Sequence, residues 1–358
     1  MIPITEQSLF IRQNTGEGHI SYLPELYQGE DRKAIFVKSG HGLAATVFLR
    51  TLSEKLKAGD EPVQIYYDAP GKERICGLWI PGKKTAVLQA DPPYAAEAKL
   101  PVAAEHTFAL DTCFDREQLQ NRREELESLH TALTAGQNRV TRFLRAGRAM
   151  KRDVRFVAED TLDRAKVERY ASKFASKRLG GPSGKIGREY HAFLTAITGQ
   201  GLLLRRSSIT AACTDIVILD DEYGTTAPLL WNQIRAYALG NGLDVISCPC
   251  PLAPKEGPEH LIIPEASVAC ITANKRHPIE IEGAEKVLSS RFFDKDAMRE
   301  HRCRINFCRR TMRELLSEAY TAQETADAAR KAIDDIYQEA LDETAAEALA
   351  ENAFALLS

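Results

Sequence analysis

The sequence has few of the features that mark membrane proteins, secreted proteins or general polyanion binders. None of its apolar runs approaches the roughly 20 residues that a membrane-spanning helix needs. Residues 1–7 carry neither a basic segment nor an apolar one, so no signal peptide is expected. The net charge at pH 7 is only −3, from 47 basic and 50 acidic residues. These absences predict a cytoplasmic protein with no membrane partner.

The eight cysteines are scattered and lack the spacing of a metal site. Cys248 and Cys250, with one residue between them, come closest. Zinc-binding pairs usually have at least two intervening residues and a second pair to match. We therefore expect reduced, mostly buried thiols and no cysteine-bound metal.

A short apolar strand, a glycine-bearing loop and an apolar-periodic helix follow one another within residues 35–49. This order is typical of the phosphate-binding P-loop, G-x-x-x-x-G-K-[ST]. With Thr46 on the hydroxyl position, Ala45 replaces the lysine of the motif. Ser39 and Ala44 then replace its two glycines. The lost lysine alone removes a charge-assisted hydrogen bond worth roughly 1.5–3 kcal/mol. The frame of a P-loop is present, and most of its phosphate-binding chemistry is missing.

The second half of the chain repeats the first. A near-constant offset between landmarks of different kinds indicates a duplicated unit. The offsets are 182, 183 and 179 residues, for Gly42 and Gly224 in the loops, Pro81 and Pro264 after a strand, and Phe114 and Phe293 before a helical run.

Each copy begins with strands that alternate with helices, which predicts an α/β fold with a mainly parallel sheet flanked by helices. Each copy then ends in an all-helical run. We predict domains at residues 1–179 and 180–358, with helical appendages at about 115–178 and 294–357. Within the first appendage, the periodicity predicts separate helices at about 137–153 and 161–178.

On these features the sequence resembles an uncharacterised bacterial family of tandem P-loop ATPase-like proteins. Each half of those proteins has a strand, an L-K-G-x-P-G-T-G-K-S-T loop, an I-I-P-E segment, a strand ending I-L-D and a helical appendage. The resemblance implies two tandem P-loop-NTPase-like domains, with ATP and magnesium, bound weakly, as the cofactors. The candidate nucleotide-binding residues are those that match the two family loops, namely Lys38, Gly40, Gly42 and Thr46 in the first and Gly224 and Thr225 in the second.

The sequence departs from the family where the metal would be held. Gln89 in the first half and Thr272 in the second replace the aspartate that the resemblance assigns to magnesium. In the second loop, the acidic run 220–222 (Asp220, Asp221, Glu222) places carboxylates where a polyphosphate would lie. We favour a solvated acidic turn there over a divalent-cation site. We interpret His41 as a solvated loop histidine rather than a base, and His277 matches a family histidine of unknown role.

A basic stripe recurs every third residue on a predicted helix: Arg139, Arg142, Arg145, Arg148 and Lys151. Residues 139–155 hold seven basic residues and one acid, whereas residues 318–358 hold ten acids and two bases. We hypothesise that the two appendages face one another and that this complementary charge helps them dock. The alternatives are that the stripe binds nucleic acid or supplies arginines to a neighbouring nucleotide.

Together these features predict a degenerate, catalytically inactive P-loop NTPase-related protein without catalytic or metal-binding residues. We expect it to act as an interaction or regulatory protein with a protein partner, or as a weak nucleotide binder through its first half. One alternative is an active ATPase that takes its lysine from elsewhere, such as Lys38 or Lys84. The other is a nucleic-acid-binding module that uses the basic stripe.

Overall fold

The computed structural model describes residues 9–28, 32–69 and 74–357. The signal-peptide expectation concerns residues outside these ranges. Within them, no helix is both long and apolar enough to cross a membrane. Six of the eight cysteines are buried, and all eight are free thiols. The described chain folds into two mixed β-sheets, with long helices against them.

Seven strands form the first sheet, in the spatial order β2-β1-β4-β5-β6-β3-β7. In chain order they are β1 (Leu9–Thr15), β2 (Gly18–Ser21), β3 (Lys33–Lys38), β4 (Gln64–Asp68), β5 (Ile75–Ile80), β6 (Thr85–Gln89) and β7 (Glu105–Ala109). The apolar and β-branched patterns at 63–67, 75–81, 85–88 and 106–110 predict strands, and β4, β5, β6 and β7 lie at these positions.

A six-stranded sheet and a separate hairpin follow in the second half. The strands are β8 (Glu189–His191), β9 (Thr195–Thr198), β10 (Gly201–Leu204), β11 (Asp215–Asp220), β12 (Val245–Pro249), β13 (Pro258–Ile263), β14 (Val268–Ala273) and β15 (Glu285–Leu288). The sheet order is β15-β11-β14-β13-β12-β8, and β9 pairs with β10. Apart from β2, both sheets have the same strand order and the same strand directions.

The prediction of mainly parallel sheets holds only in part, because both sheets are mixed. β5 runs antiparallel to both of its neighbours, and so does β13 in the second sheet. Only residues 81–84 join β5 to β6, and only residues 264–267 join β13 to β14. A parallel pair needs a crossover of a dozen or more residues, so these short connections require hairpins.

The sheets pack on each other through one face and on helices through the other. Ile11 and Phe36 of the first sheet share a buried core with Ile218 and Ile271 of the second. The helices are α1 (Pro24–Tyr27), α2 (Gly42–Ala58), α3 (Arg116–Asn121), α4 (Arg123–Glu159), α5 (Arg164–Arg178), α6 (Arg206–Ala212), α7 (Thr226–Gly240), α8 (Lys295–Glu300), α9 (Arg302–Glu339) and α10 (Glu343–Leu357).

The two halves exchange their last helices. The C-terminal α10 packs on α2 of the first half, and α5 packs on α7 of the second. The junctions match as well, because Asp115 N donates to Ala340 O at 2.8 Å and Asp294 N donates to Thr161 O at 2.9 Å. Each sheet therefore completes its outer layer with a helix from the other half. The division into domains 1–179 and 180–358 stays a prediction.

The long helices α4 and α9 pack antiparallel along their length, so the appendages do face one another. Their interface consists of small and apolar side chains, including Val140, Leu144 and Ala319. Arg139 to Glu318, at 3.7 Å, is the ion pair that joins the basic stripe to the acidic segment in the described chain. Apolar packing, rather than the charge complementarity that we hypothesised, therefore forms most of the contact.

The helix boundary expected at residue 137 is also wrong, because α4 is continuous from Arg123 to Glu159. Gly136 lies inside the helix, where a Cβ would come within 3.0 Å of the Cβ of Ala326 on α9. The glycine permits a close helix approach here and does not end the helix.

Candidate functional site

The first loop, between β3 and α2, is filled by a carboxylate of the chain itself. Asp91, two residues after β6, accepts hydrogen bonds through Oδ1 from the backbone N–H groups of Ser39 and Gly40, both at 3.0 Å. Its Oδ2 accepts from Ser39 Oγ at 2.7 Å and from Gln89 Nε2 at 2.9 Å. A P-loop offers such backbone donors to a phosphate. Here an internal carboxylate holds two of them.

The predicted residues of the first loop form contacts with other residues of the chain. Lys38 Nζ forms an ion pair with Glu97. Thr46, which is 7% exposed, donates its hydroxyl to Gly42 O at 2.8 Å, one turn earlier in α2. Gly40 has a φ of +60°, which favours glycine at this bend. Gly40 and Gly42 line a cavity beside the loop, whereas Lys38 and Thr46 do not.

The histidine of the first loop is buried, which contradicts its interpretation as a solvated side chain. His41 is 8% exposed and stacks on Tyr337 of α9 at a centroid distance of 4.2 Å. Its Nε2 lies 3.0 Å from Asp334 Oδ1. Burial lowers the pKa of His41, and the hydrogen bond to Asp334 opposes that shift. His41 therefore connects the loop to the last turns of α9.

The second loop, between β11 and α7, is also filled by a carboxylate. Asp221 accepts from Gly224 N at 3.1 Å through Oδ1 and from Ala227 N at 2.8 Å through Oδ2. The residue is 2% exposed, so the prediction of a solvated acidic turn is wrong for it. Burial raises the pKa of Asp221, although the backbone donors and Lys151 oppose that shift.

The other predicted residues of the second loop shape the turn or pack within the fold. Gly224 has a φ of +69°, and Thr225 is 1% exposed beneath the loop. Glu222 accepts a hydrogen bond from Arg309 of α9 at 3.2 Å and does not join Asp221 around a common point. Within the described residues, no group of three or more histidine, cysteine or acidic side chains could hold a metal ion. The structure thus gives no support to a cation site on the acidic run.

The two positions assigned by resemblance to the magnesium aspartate also hold structural residues. Gln89 accepts a hydrogen bond from Arg12 and donates to Asp91. Thr272 accepts from Trp231 Nε1 at 2.7 Å and is 6% exposed. Both side chains therefore have partners within the fold.

Each loop faces a basic residue from the long helix of the opposite half. Lys151 of α4 approaches the second loop, where its Cε lies 3.5 Å from the Cβ position of Gly224. Arg330 of α9, 179 residues later, lines the cavity beside the first loop. Burial acts to lower the pKa of Lys151, but neighbouring Cys250 and Glu259 outweigh it, so this pKa is raised. The charge that both loops lack in sequence is present nearby in space.

The neighbouring cavities occupy equivalent places and differ in size. The first has a volume of about 440 Å³ and the second about 100 Å³. Both are bounded by a loop, by α4 and by α9. His277, which sequence comparison could not interpret, lines the second cavity, and burial lowers its pKa. The first cavity falls within the 300–1,000 Å³ typical of small-molecule sites.

Comparisons with known proteins identify no relative of this chain. Neither the protein-family models, nor the curated proteins, nor the solved structures give a match to the chain. The resemblance to tandem P-loop ATPase-like proteins therefore remains an expectation. Function has to be argued from the site itself.

Four residues that lie at the loops were not identified from the sequence. They are Arg12, Asp91 and Arg330, together with Lys151, which the sequence assigns only to the basic stripe. Two signals were available. Asp91 comes directly after a predicted strand, at the sheet edge where the loops lie. Lys151 and Arg330 are separated by the repeat offset of 179 residues. Arg12, which is 3% exposed and hydrogen-bonded to Asp68 at 3.2 Å, offered no such signal.

Proposed function

We propose that the chain is a non-hydrolysing relative of P-loop NTPases that acts by binding, as an interaction or regulatory protein. One observation carries this proposal: an internal carboxylate takes backbone donors in both loops, Asp91 in the first and Asp221 in the second. A polyphosphate would have to displace a buried, hydrogen-bonded carboxylate from either position. Like charges repel, so the two groups cannot share the loop.

The surroundings of the loops favour the same conclusion. Phosphoryl transfer depends almost entirely on positioning and on stabilisation of charge by lysine and magnesium. Lys38 pairs with Glu97, and Lys84 precedes β6, at the opposite end of this strand from Gln89 and the loop. The two lysines that we considered as substitutes are thus poorly placed for catalysis.

The test is a phosphate-release assay on the purified protein with magnesium and ATP. We expect no turnover above background in the wild type. Thr46→Ala is the diagnostic variant, and Thr51→Ala, on the same helix, is its matched control. Clear turnover that disappears in Thr46→Ala and survives in Thr51→Ala would overturn the proposal and favour an active ATPase.

A second candidate function is polyanion binding, which a surface depression of about 260 Å³ near the start of α9 favours. Five basic residues line it against one acid, Glu222: Lys275, Arg276, Arg309, Arg310 and Arg313. The basic stripe of α4 is a weaker candidate. Its Arg148 pairs with Glu17 at 2.6 Å and with Glu256 at 3.1 Å, and so does not face solvent freely.

Charge reversal can test these two surfaces separately. Truncation of the chain near residue 317 would be less informative, because it would also remove most of α9 and all of α10, which pack in the core. If the depression binds polyanions, Arg310→Glu with Arg313→Glu should elute from heparin at lower salt than the wild type. The matched stripe variant is Arg142→Glu with Arg145→Glu. Loss of retention in the stripe variant alone would favour the stripe instead. Equal elution of all three proteins would exclude both surfaces.

A further inference from the structure

The first cavity is lined by three arginines, of which Arg330 forms no ion pair with the residues that the structure describes. Among the charged residues that line it, Arg12 is paired with Asp68, and Arg74 with Asp334. Asp91 is held by the loop. Arg330 has no carboxylate oxygen within 4 Å and no hydrogen-bond partner in the part of the chain that the structure describes. Its Nε is buried without an acceptor.

The equivalent cation in the second cavity, Lys151, has its own acidic neighbours. Lys151 lies near Asp221 and Glu259, and each of the three affects the ionisation of another. In the first half, the positions equivalent to Asp221 and Glu259 hold Ser39 and Cys76. Beside the first loop, the acidic neighbours of Arg330 in the described part of the chain are instead Asp91, which the loop holds, and Asp327, whose pKa the arginine acts to lower. Neither carboxylate lies within 4 Å of the guanidinium, and the buried Nε has no acceptor, so an external oxyanion would supply one.

The space around Arg330 suits a small anion. The cavity has a volume of about 440 Å³, against about 100 Å³ in the second half. His19 and His130 also line it and offer imidazole N–H donors. Burial and the charge of Arg330 lower the pKa of His19. The guanidinium fork matches the geometry of phosphate and carboxylate groups.

We propose that the first cavity is a binding site for a small molecule bearing an oxyanion group, phosphate or carboxylate, which Arg330 holds between the two halves of the chain. The site differs from a P-loop cradle, because Asp91 remains in the loop. Its occupant contacts one half through residues of the sheet edge and the other half through α9. Binding therefore joins the two halves, and it does not depend on whether the protein hydrolyses nucleotides.

The test is isothermal titration calorimetry of the full chain with sodium pyrophosphate and, separately, with sodium citrate, at matched ionic strength. We expect one site per chain for at least one probe, and the stronger probe identifies the oxyanion. Arg330→Gln should weaken binding by roughly tenfold or more, as expected for a lost charged hydrogen bond. Arg142→Gln, which removes an exposed arginine of α4, is the matched control and should bind like the wild type.

A second variant tests the cavity without touching the cation. Thr134 is an exposed residue of α4 on the rim, and Thr134→Trp should obstruct entry and weaken binding. This variant decides the matter if Arg330→Gln fails to fold. The proposal is wrong if neither probe binds at millimolar concentration, or if folded Arg330→Gln binds as tightly as the wild type. It is also wrong if Thr134→Trp leaves the affinity unchanged. Phosphate release from ATP is measured independently, so failure here does not bear on the proposed function.

Discussion

Replacement of Asp91 by alanine tests the claim that this carboxylate fills the first loop. The side chain accepts four hydrogen bonds, from two backbone N–H groups, one hydroxyl and one amide. A buried donor left without an acceptor costs roughly 1–3 kcal/mol, and water from the adjacent cavity offsets part of that cost. We therefore expect Asp91→Ala to lower the free energy of unfolding by roughly 2–4 kcal/mol.

The assay is urea denaturation followed by circular dichroism, with and without sodium phosphate. The vacated N–H groups of Ser39 and Gly40 should then accept a phosphate ion. At a phosphate concentration tenfold above its Kd, this binding would return about 1.4 kcal/mol to the variant. The quantity to compare is the gain of the variant over the gain of the wild type, because phosphate also has access to the cavity.

Two controls make the result interpretable. Glu54→Ala removes an exposed carboxylate from α2 and should leave stability within about 0.5 kcal/mol of the wild type. Asp91→Asn keeps the shape of the side chain and should be less destabilising than Asp91→Ala. If Asp91→Ala unfolds at the same urea concentration as the wild type, with an unchanged slope, the carboxylate does not stabilise the loop. If phosphate stabilises both proteins equally, the loop does not retain an anion-binding backbone.

Three further predictions concern packing and charge. Gly136→Leu should destabilise the protein by roughly 1–3 kcal/mol through overpacking against α9, whereas Gly240→Ala, where no atom lies within 4 Å of the Cβ position, should have little effect in the same urea titration. Lys151→Met should lower the free energy of unfolding by roughly 3–5 kcal/mol, because it leaves the buried Asp221 and the partly buried Glu259 without their cation. An unfolding curve at pH 7 that matches the wild type would contradict this. The hydrogen bond that His191 donates to Glu25 raises the pKa of His191, so the contribution of this pair to stability is present below the ordinary histidine pKa and is lost as pH rises through the raised value. The stability difference between wild type and His191→Gln should therefore be larger at pH 5.5 than at pH 8.5, and an equal difference at both would show that this pair does not titrate with folding.

Local features of the fold could be predicted from the sequence, because they depend on local periodicity. The strand before each loop and the helix after it follow from alternating and helical patterns of apolar residues. The directions of β5 and β13 could not be predicted from the apolar pattern. These strands are reversed because their connections are short, and the pattern carries no information about connection length. The continuity of α4 was missed, because Gly136 permits a close packing contact with α9, and α9 is distant in the sequence.

The candidate site was less predictable, because its chemistry comes from residues that are far apart in the chain. Motif alignment selected Lys38 and Thr46, which form an ion pair with Glu97 and a hydrogen bond within α2 and do not line the cavity. The carboxylate in the first loop comes from Asp91, about 50 residues downstream of the loop it fills. No rule based on the spacing within a single motif contains that information.

The position of the trans cations follows from the exchange of helices between the halves. Because α4 and α9 run antiparallel and both line the two cavities, each helix passes the loop of its own half and then that of the other. A single offset of 179 residues therefore places Lys151 and Arg330 at equivalent points beside opposite loops. The loops have lost their motif lysines, yet each cavity still has a cation within it.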